Sequence, residues 1–95
     1  MVERKIRVTG SFTVANDKGL HTRPSTELVK CASSFTSQVL LKYRSYSVNA
    51  KSLLGILMLA AEKGSKIRIE ADGTDAEQAV ESILSLAKRK FNIKY

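Results

Sequence analysis

The sequence predicts a two-layer α+β sandwich, and three observations carry that reading. Four short segments place apolar residues at every second position, the period of a half-buried strand. Three further segments place them at helical spacing, and the two kinds interleave in the order β-α-β-β-α-β-α. The chain has 95 residues, enough for one small domain with a single core. Periodicity alone leaves the strand order open.

In the first segment Val8, Gly10, Phe12 and Val14 alternate with Thr9, Ser11 and Thr13, and Ile6 continues the pattern toward the N-terminus. Asn16-Asp17-Lys18-Gly19 is a turn or loop in which Gly19 is free to take positive φ. From His21 the period changes. Leu28, Val29, Ala32 and Phe35 fall at helical spacing and predict a helix over residues 22–35. Val39, Leu41 and Tyr43 then alternate, and Tyr46 and Val48 follow Arg44-Ser45, which predicts a hairpin. Residues 51–60 predict a short, very apolar helix, with Lys63-Gly64 marking its end. Ile67 and Ile69 alternate with charged residues in a fourth strand that ends near Asp72-Gly73. The last helix is the best marked. Thr74-Asp75-Ala76-Glu77 fits a capping box, and Ala76, Ala79, Val80, Ile83, Leu86 and Ala87 supply a buried stripe. Acids in its first turns and Lys88-Arg89-Lys90 in its last suit the helix dipole.

Composition narrows the function classes. Apolar residues at 43% and charged residues at 26% are globular values. The longest apolar run, residues 53–61, contains Gly55 and is far short of a membrane span, so no membrane insertion is expected. Met1-Val2-Glu3-Arg4-Lys5 leads into no hydrophobic stretch of signal-peptide type. A single cysteine, Cys31, excludes an internal disulfide and a cysteine-based metal site, and a reducing cytoplasm is the expected compartment. The net charge is +7, and between His21 and Ala60 five basic residues (Arg23, Lys30, Lys42, Arg44, Lys51) meet one acid, Glu27. Such a field attracts acidic proteins, phosphates or nucleic acid, and charge alone does not choose among them. The few aromatics are not interleaved with the basic residues as a stacking platform requires, which argues against a nucleic-acid module.

Gly19-Leu20-His21-Thr22-Arg23-Pro24 sets the only histidine of the chain at a loop-to-helix junction. Pro24 is tolerated there because first-turn N–H groups have no intrahelical acceptor. Arg23, as the residue before proline, is pushed away from α geometry, which implies a tightly specified first turn. An imidazole is a usable nucleophile near neutral pH. The Thr22 and Arg23 amides, the helix dipole and the Arg23 guanidinium together offer charge stabilisation for a phosphoryl group on it. In-line phosphoryl transfer depends mainly on positioning and electrostatics, so an exposed site suffices when a partner brings the rest. One histidine without a cysteine pair or carboxylate cluster offers too few ligands for a metal. A shallow domain of this size gives little scope for a hydrolytic triad.

The same hexapeptide resembles the active-site motif of HPr, the histidine phosphocarrier family of the bacterial phosphoenolpyruvate-dependent sugar phosphotransferase system. Asn49-Ala50-Lys51-Ser52-Leu53-Leu54-Gly55 resembles the family's second hallmark, around its regulatory serine, and the likeness runs over about residues 8–86. The resemblance implies an open-faced sandwich whose four-stranded antiparallel sheet has the order 1-4-2-3, with three helices on one face. It implies that enzyme I phosphorylates His21 on Nδ1 and that an enzyme IIA domain of a sugar permease receives the group. Arg23 matches the arginine that attends the phosphohistidine, and Thr22 a residue whose backbone amide faces the phosphate. Ser52 matches the serine modified by an ATP-dependent HPr kinase/phosphorylase, although an N-cap role alone would also suit it. Leu53, Leu54 and Leu57 match the exposed patch that docks on both partners; core packing is the competing role for each, with Ile56 or Met58 the residue expected to face inward. Arg23, Lys30 and Lys51 are expected to rim the patch and steer it toward acidic surfaces. The resemblance implies a carrier that is a substrate of phosphotransferases and no enzyme itself, and no cofactor or metal is expected. The sequence does not display the oligomeric state, but a small carrier that docks in turn on two partners is expected to be a monomer. A carrier in a regulatory, nitrogen-type relay is the alternative within the family. The single domain spans residues 1–95, with residues 1–7 an N-terminal extension and residues 88–95 a basic C-terminal tail. Ser25 and Thr26 depart from the family's usual alanines.

Overall fold

In the computed structural model, which describes residues 6–94, the alternating segments form one antiparallel sheet. Its strands are β1 (Arg7–Thr13), β2 (Gln38–Tyr43), β3 (Tyr46–Asn49) and β4 (Lys66–Asp72), in the order β1-β4-β2-β3 that the family resemblance implies. The helices are α1 (Thr22–Ser33), α2 (Leu53–Met58) and α3 (Ala76–Lys88). Along β4, Ile67, Ile69 and Ala71 are buried whereas Lys66 and Arg68 are exposed, so one face of the sheet is covered and the other is open. α3 packs on β1 and β4, α2 on β3, and α1 against both other helices. All six residues of the stripe expected on α3 are buried. Among the described residues no helix is long and apolar enough to cross a membrane.

Helix ends differ from expectation for local reasons. α1 stops at Ser33, where the Ser34 hydroxyl donates to the Cys31 carbonyl at 2.7 Å and competes with the helical ladder. α2 is shorter than residues 51–60. Asn49 Oδ1 accepts from Lys51 N–H at 2.8 Å and holds a turn before the helix, and Ala60 at φ 50° ends it. The capping box at Thr74-Asp75-Ala76-Glu77 is not made. Asp75 is the N-cap of α3, but its side chain makes no capping bond and reaches instead to the loop before β2. There it accepts from Thr36 N–H at 2.9 Å, Ser37 N–H at 2.9 Å and both hydroxyls of that pair. A carboxylate with four long-range donors is worth more to the fold than a local cap.

The C-terminal segment also differs from a simple tail. Lys90, Phe91 and Asn92 all have positive φ, 52°, 55° and 62°, which turns the chain back sharply after α3. The turn sets Phe91 in the core, 1% exposed, edge-to-face with Phe12 at 5.6 Å between ring centroids. Such backbone strain persists only where packing over-determines it, here through the Phe91 ring. At the other end two residues expected in an extension join the fold: Arg7 pairs in β1 with Asp72, and the Ile6 carbonyl accepts from Gly73 N–H at 2.9 Å. Residues 1–5 of that expectation lie outside the described residues.

Two outcomes are expected from these contacts. Phe91→Ala lowers unfolding stability by about 3–5 kcal/mol in urea titrations. Hydrogen bonds from the Ser37 hydroxyl, then the Thr36 amide, hold the Asp75 carboxyl well down, at about 2. A depressed folded value stabilises above the unfolded pKa and loses that stability as pH falls through the folded one, here between about pH 4 and pH 2. Asp75→Asn therefore lowers the urea midpoint at pH 7, and its difference from wild type narrows as pH falls toward 2.

Candidate functional site

His21 is the N-cap of α1, in extended conformation (φ −77°, ψ −170°), and its side chain makes no capping bond. Its carbonyl starts the helical ladder by accepting from Ser25 N–H at 3.1 Å. Arg23 lies inside the helix despite preceding Pro24, and Pro24 is buried in the first turn. The sharp change from extended to helical geometry at His21 sets the imidazole beside the positive end of α1. The imidazole-bearing residue is half-buried, and Thr22 and Arg23 are exposed.

The loop before His21 is fixed by contacts far away in sequence. Gly19 has φ 70°, and a Cβ there would fall on the Ala61 carbonyl oxygen and 3.0 Å from the Glu62 Cα. Only glycine allows this approach. Leu20 N–H then donates to the Ala61 carbonyl at 2.9 Å, and the Leu20 side chain is 4% exposed. The buried Ser25 hydroxyl donates to the Leu20 carbonyl at 3.0 Å, so this departure from alanine adds a tether next to His21. Thr26 donates to the Thr22 carbonyl at 2.7 Å. Asn16, also buried, donates to the Lys90 carbonyl at 3.0 Å and ties the same loop to the C-terminal turn.

The second motif lies on the neighbouring helix. Ser52 is the N-cap of α2, and its hydroxyl accepts from Gly55 N–H at 3.1 Å. Leu53 and Leu54 are exposed, and Leu57 is half-buried. Ile56 faces inward with no exposed surface, whereas Met58 is 73% exposed and joins the leucines. The inward-facing role expected of Ile56 or Met58 thus falls to Ile56 alone; Met58, four residues after Leu54, shares its exposed face. Lys51 does not project freely, because its ammonium donates to the Phe35 carbonyl at 2.7 Å. Lys30 pairs with Glu27 at 3.5 Å and borders the groove between α1 and α3, with Glu81, Ser85 and Arg89. The arrangement thus sets Leu53, Leu54, Leu57 and Met58 on one short helix, with Lys30 bordering the groove between α1 and α3.

Cys31 lies in that same groove, where burial pushes its thiol up and keeps it protonated at neutral pH. Among the described residues no three His, Cys, Asp or Glu side chains gather as metal ligands. What remains is an imidazole at a helix N-terminus, with a guanidinium two residues on and an apolar patch on the adjacent helix.

Comparison with known proteins agrees with this geometry. The family model of the PTS HPr component phosphorylation site matches residues 8–89. Phosphocarrier protein HPr of Cupriavidus necator is 40% identical over 79 residues, which cover 83% of this chain and 89% of that protein. Phosphocarrier protein HPr of Xylella fastidiosa is 40% identical over 81 residues, 85% of this chain and 91% of that protein. The crystal structure of HPr-C-His from Thermoanaerobacter tengcongensis superposes with a TM-score of 0.88 at 33% identity, covering 93% of this chain and 99% of that one. A match over nearly the whole domain, on the same strand order, makes this chain a member of the HPr family of phosphotransferase-system phosphocarriers.

Proposed function

We propose that this chain accepts a phosphoryl group on Nδ1 of His21 from phosphorylated enzyme I and passes it to an enzyme IIA domain in the cytoplasm. The observation that carries this reading is the position of His21, at the N-cap of α1 with its side chain outside the capping bonds. In the accepting step an imidazole nitrogen lone pair attacks phosphorus in line, the new N–P bond forms, and the bond to the donor's leaving group breaks. The chain's part is to receive the negative charge. First-turn N–H groups and the helix dipole favour an anion there, and Arg23 adds a charge-assisted donor. The onward step reverses the roles, so stabilisation must be moderate and the site open. The partners supply the remaining electrostatics, and the chain is their substrate. Leu53, Leu54 and Met58 give both partners an apolar surface to bury.

Ser52 adds a regulatory step to this proposal. An HPr kinase/phosphorylase would replace the hydroxyl proton by a phosphoryl group from ATP, setting about two negative charges beside the exposed leucines. Such a charge opposes docking on acidic surfaces by like-charge repulsion.

With phosphoenolpyruvate and a cognate enzyme I, the wild-type chain is expected to take up acid-labile, base-stable phosphate, and His21→Ala to take up none. Arg23→Ala slows onward transfer on the order of tenfold or more. No label on wild type with an active cognate enzyme I would contradict the proposal. For Ser52, a cognate kinase and ATP should give acid-stable label that Ser52→Ala lacks. That substitution also removes the cap and lowers stability by about 1 kcal/mol in urea titrations.

A further inference from the structure

The face of the sheet that carries no helix has its charges sorted by end. Antiparallel register sets Ser11, Arg68, Lys42 and Ser47 in one row across all four strands. Lys66, opposite Thr13, lies two residues before Arg68 on the same face of β4, and Arg44 tips the adjoining hairpin. Toward the other end the rows hold Glu70 and Asp72, both paired with Arg7 at 3.6 and 3.2 Å. Lys42 joins the two halves through Glu70 at 2.9 Å. Among the described residues no carboxylate lies within ion-pair distance of Arg44, Lys66 or Arg68.

Sheet pairing disfavours this arrangement, since like charges directly opposite, here Lys42 and Arg68, destabilise a strand pair. The cations also line two shallow depressions that share Arg68. One, of about 250 Å³, is bounded by Lys42, Arg44, Tyr46 and Ser47; the other, of about 360 Å³, by Thr9, Ser11 and Lys66. Serine and threonine hydroxyls between the cations add hydrogen-bonding capacity on a flat surface.

We infer that this cationic half of the open sheet face, centred on Arg68 with Lys42, Arg44 and Lys66, is a second docking surface, for an acidic patch on a folded protein. Two features favour a protein over nucleic acid. A phosphate backbone crossing the face would run from the cations onto Glu70 and Asp72, whereas a compact acidic patch ends before them. Stacking needs a row of aromatics, and the depressions offer Tyr46 alone. The surface lies on the side of the sheet away from α1 and α2. An acidic partner held there leaves His21 and the α2 patch open, so the carrier binds it and a phosphotransfer partner together.

The test is an amide NMR titration of the full chain with a short oligoglutamate peptide, small enough to lie on the cationic half alone, at about 0.15 M salt, where long-range attraction is screened. Shifts are expected to cluster at Lys42, Arg44, Lys66 and Arg68. Lys66→Glu with Arg68→Glu weakens binding about tenfold or more, while Lys88→Glu with Arg89→Glu, the same change in net charge, stays within about twofold. Labelling of His21 by enzyme I continues at the wild-type rate in the Lys66/Arg68 variant. Equal loss in both variants would mean net charge only and overturn the inference. So would shifts on α1 and α2, slower labelling of His21, or tighter binding on this face by single-stranded DNA of equal charge.

Discussion

One backbone hydrogen bond, from Leu20 N–H to the Ala61 carbonyl at 2.9 Å, organises the functional end of this molecule. It joins the loop that delivers His21 to the segment that follows α2, so His21 and the apolar patch come from separate regions of the chain yet share one frame. The bond requires a close approach of two backbones, and Gly19 with its positive φ makes that approach possible. A side chain at Gly19 would have to displace the Ala61 carbonyl itself. The site is therefore built on backbone geometry, and the functional side chains are added to it.

Around this frame, polar side chains connect loops that no sheet or helix joins. Asn16 ties the His21 loop to the Lys90 carbonyl, and Ser25 holds the Leu20 carbonyl from inside α1. At the other end of the domain Asp75 collects the Thr36 and Ser37 donors. A domain of this size buries a modest core, so each buried hydrogen bond between distant loops limits local opening where it matters. Phosphoryl transfer between proteins needs this rigidity, because a small displacement of the nucleophile costs far more rate than it costs stability.

Much of this was legible from residue order. Alternation gave every strand, helical spacing gave the α3 stripe to the last residue, and the Gly19–Pro24 hexapeptide placed His21 at the junction where it stands. Other features depended on neighbours that one-dimensional patterns do not display. Thr74-Asp75-Ala76-Glu77 satisfies the local rule for a capping box, but tertiary donors from Thr36 and Ser37 claim the Asp75 carboxylate. Lys88-Arg89-Lys90 marks a helix end, but only the fold brings Phe91 back against Phe12. Lys30 and Lys51 were both expected to rim the leucines; the partners they take, Glu27 for the first and the Phe35 carbonyl for the second, come from helix spacing and from the fold. Helical spacing from Leu54 could have placed Met58 on the exposed face rather than inward.

The central claim is that the junction at the start of α1 makes His21 a phosphoryl relay whose acceptor atom is set by backbone geometry. Nitrogen-detected NMR of the chain after treatment with phosphoenolpyruvate and enzyme I tests it most directly, because phosphorus coupling identifies the modified nitrogen. The account predicts a single phosphohistidine, at Nδ1 of His21. Phosphorus on Nε2, or on no imidazole nitrogen at all, would contradict it.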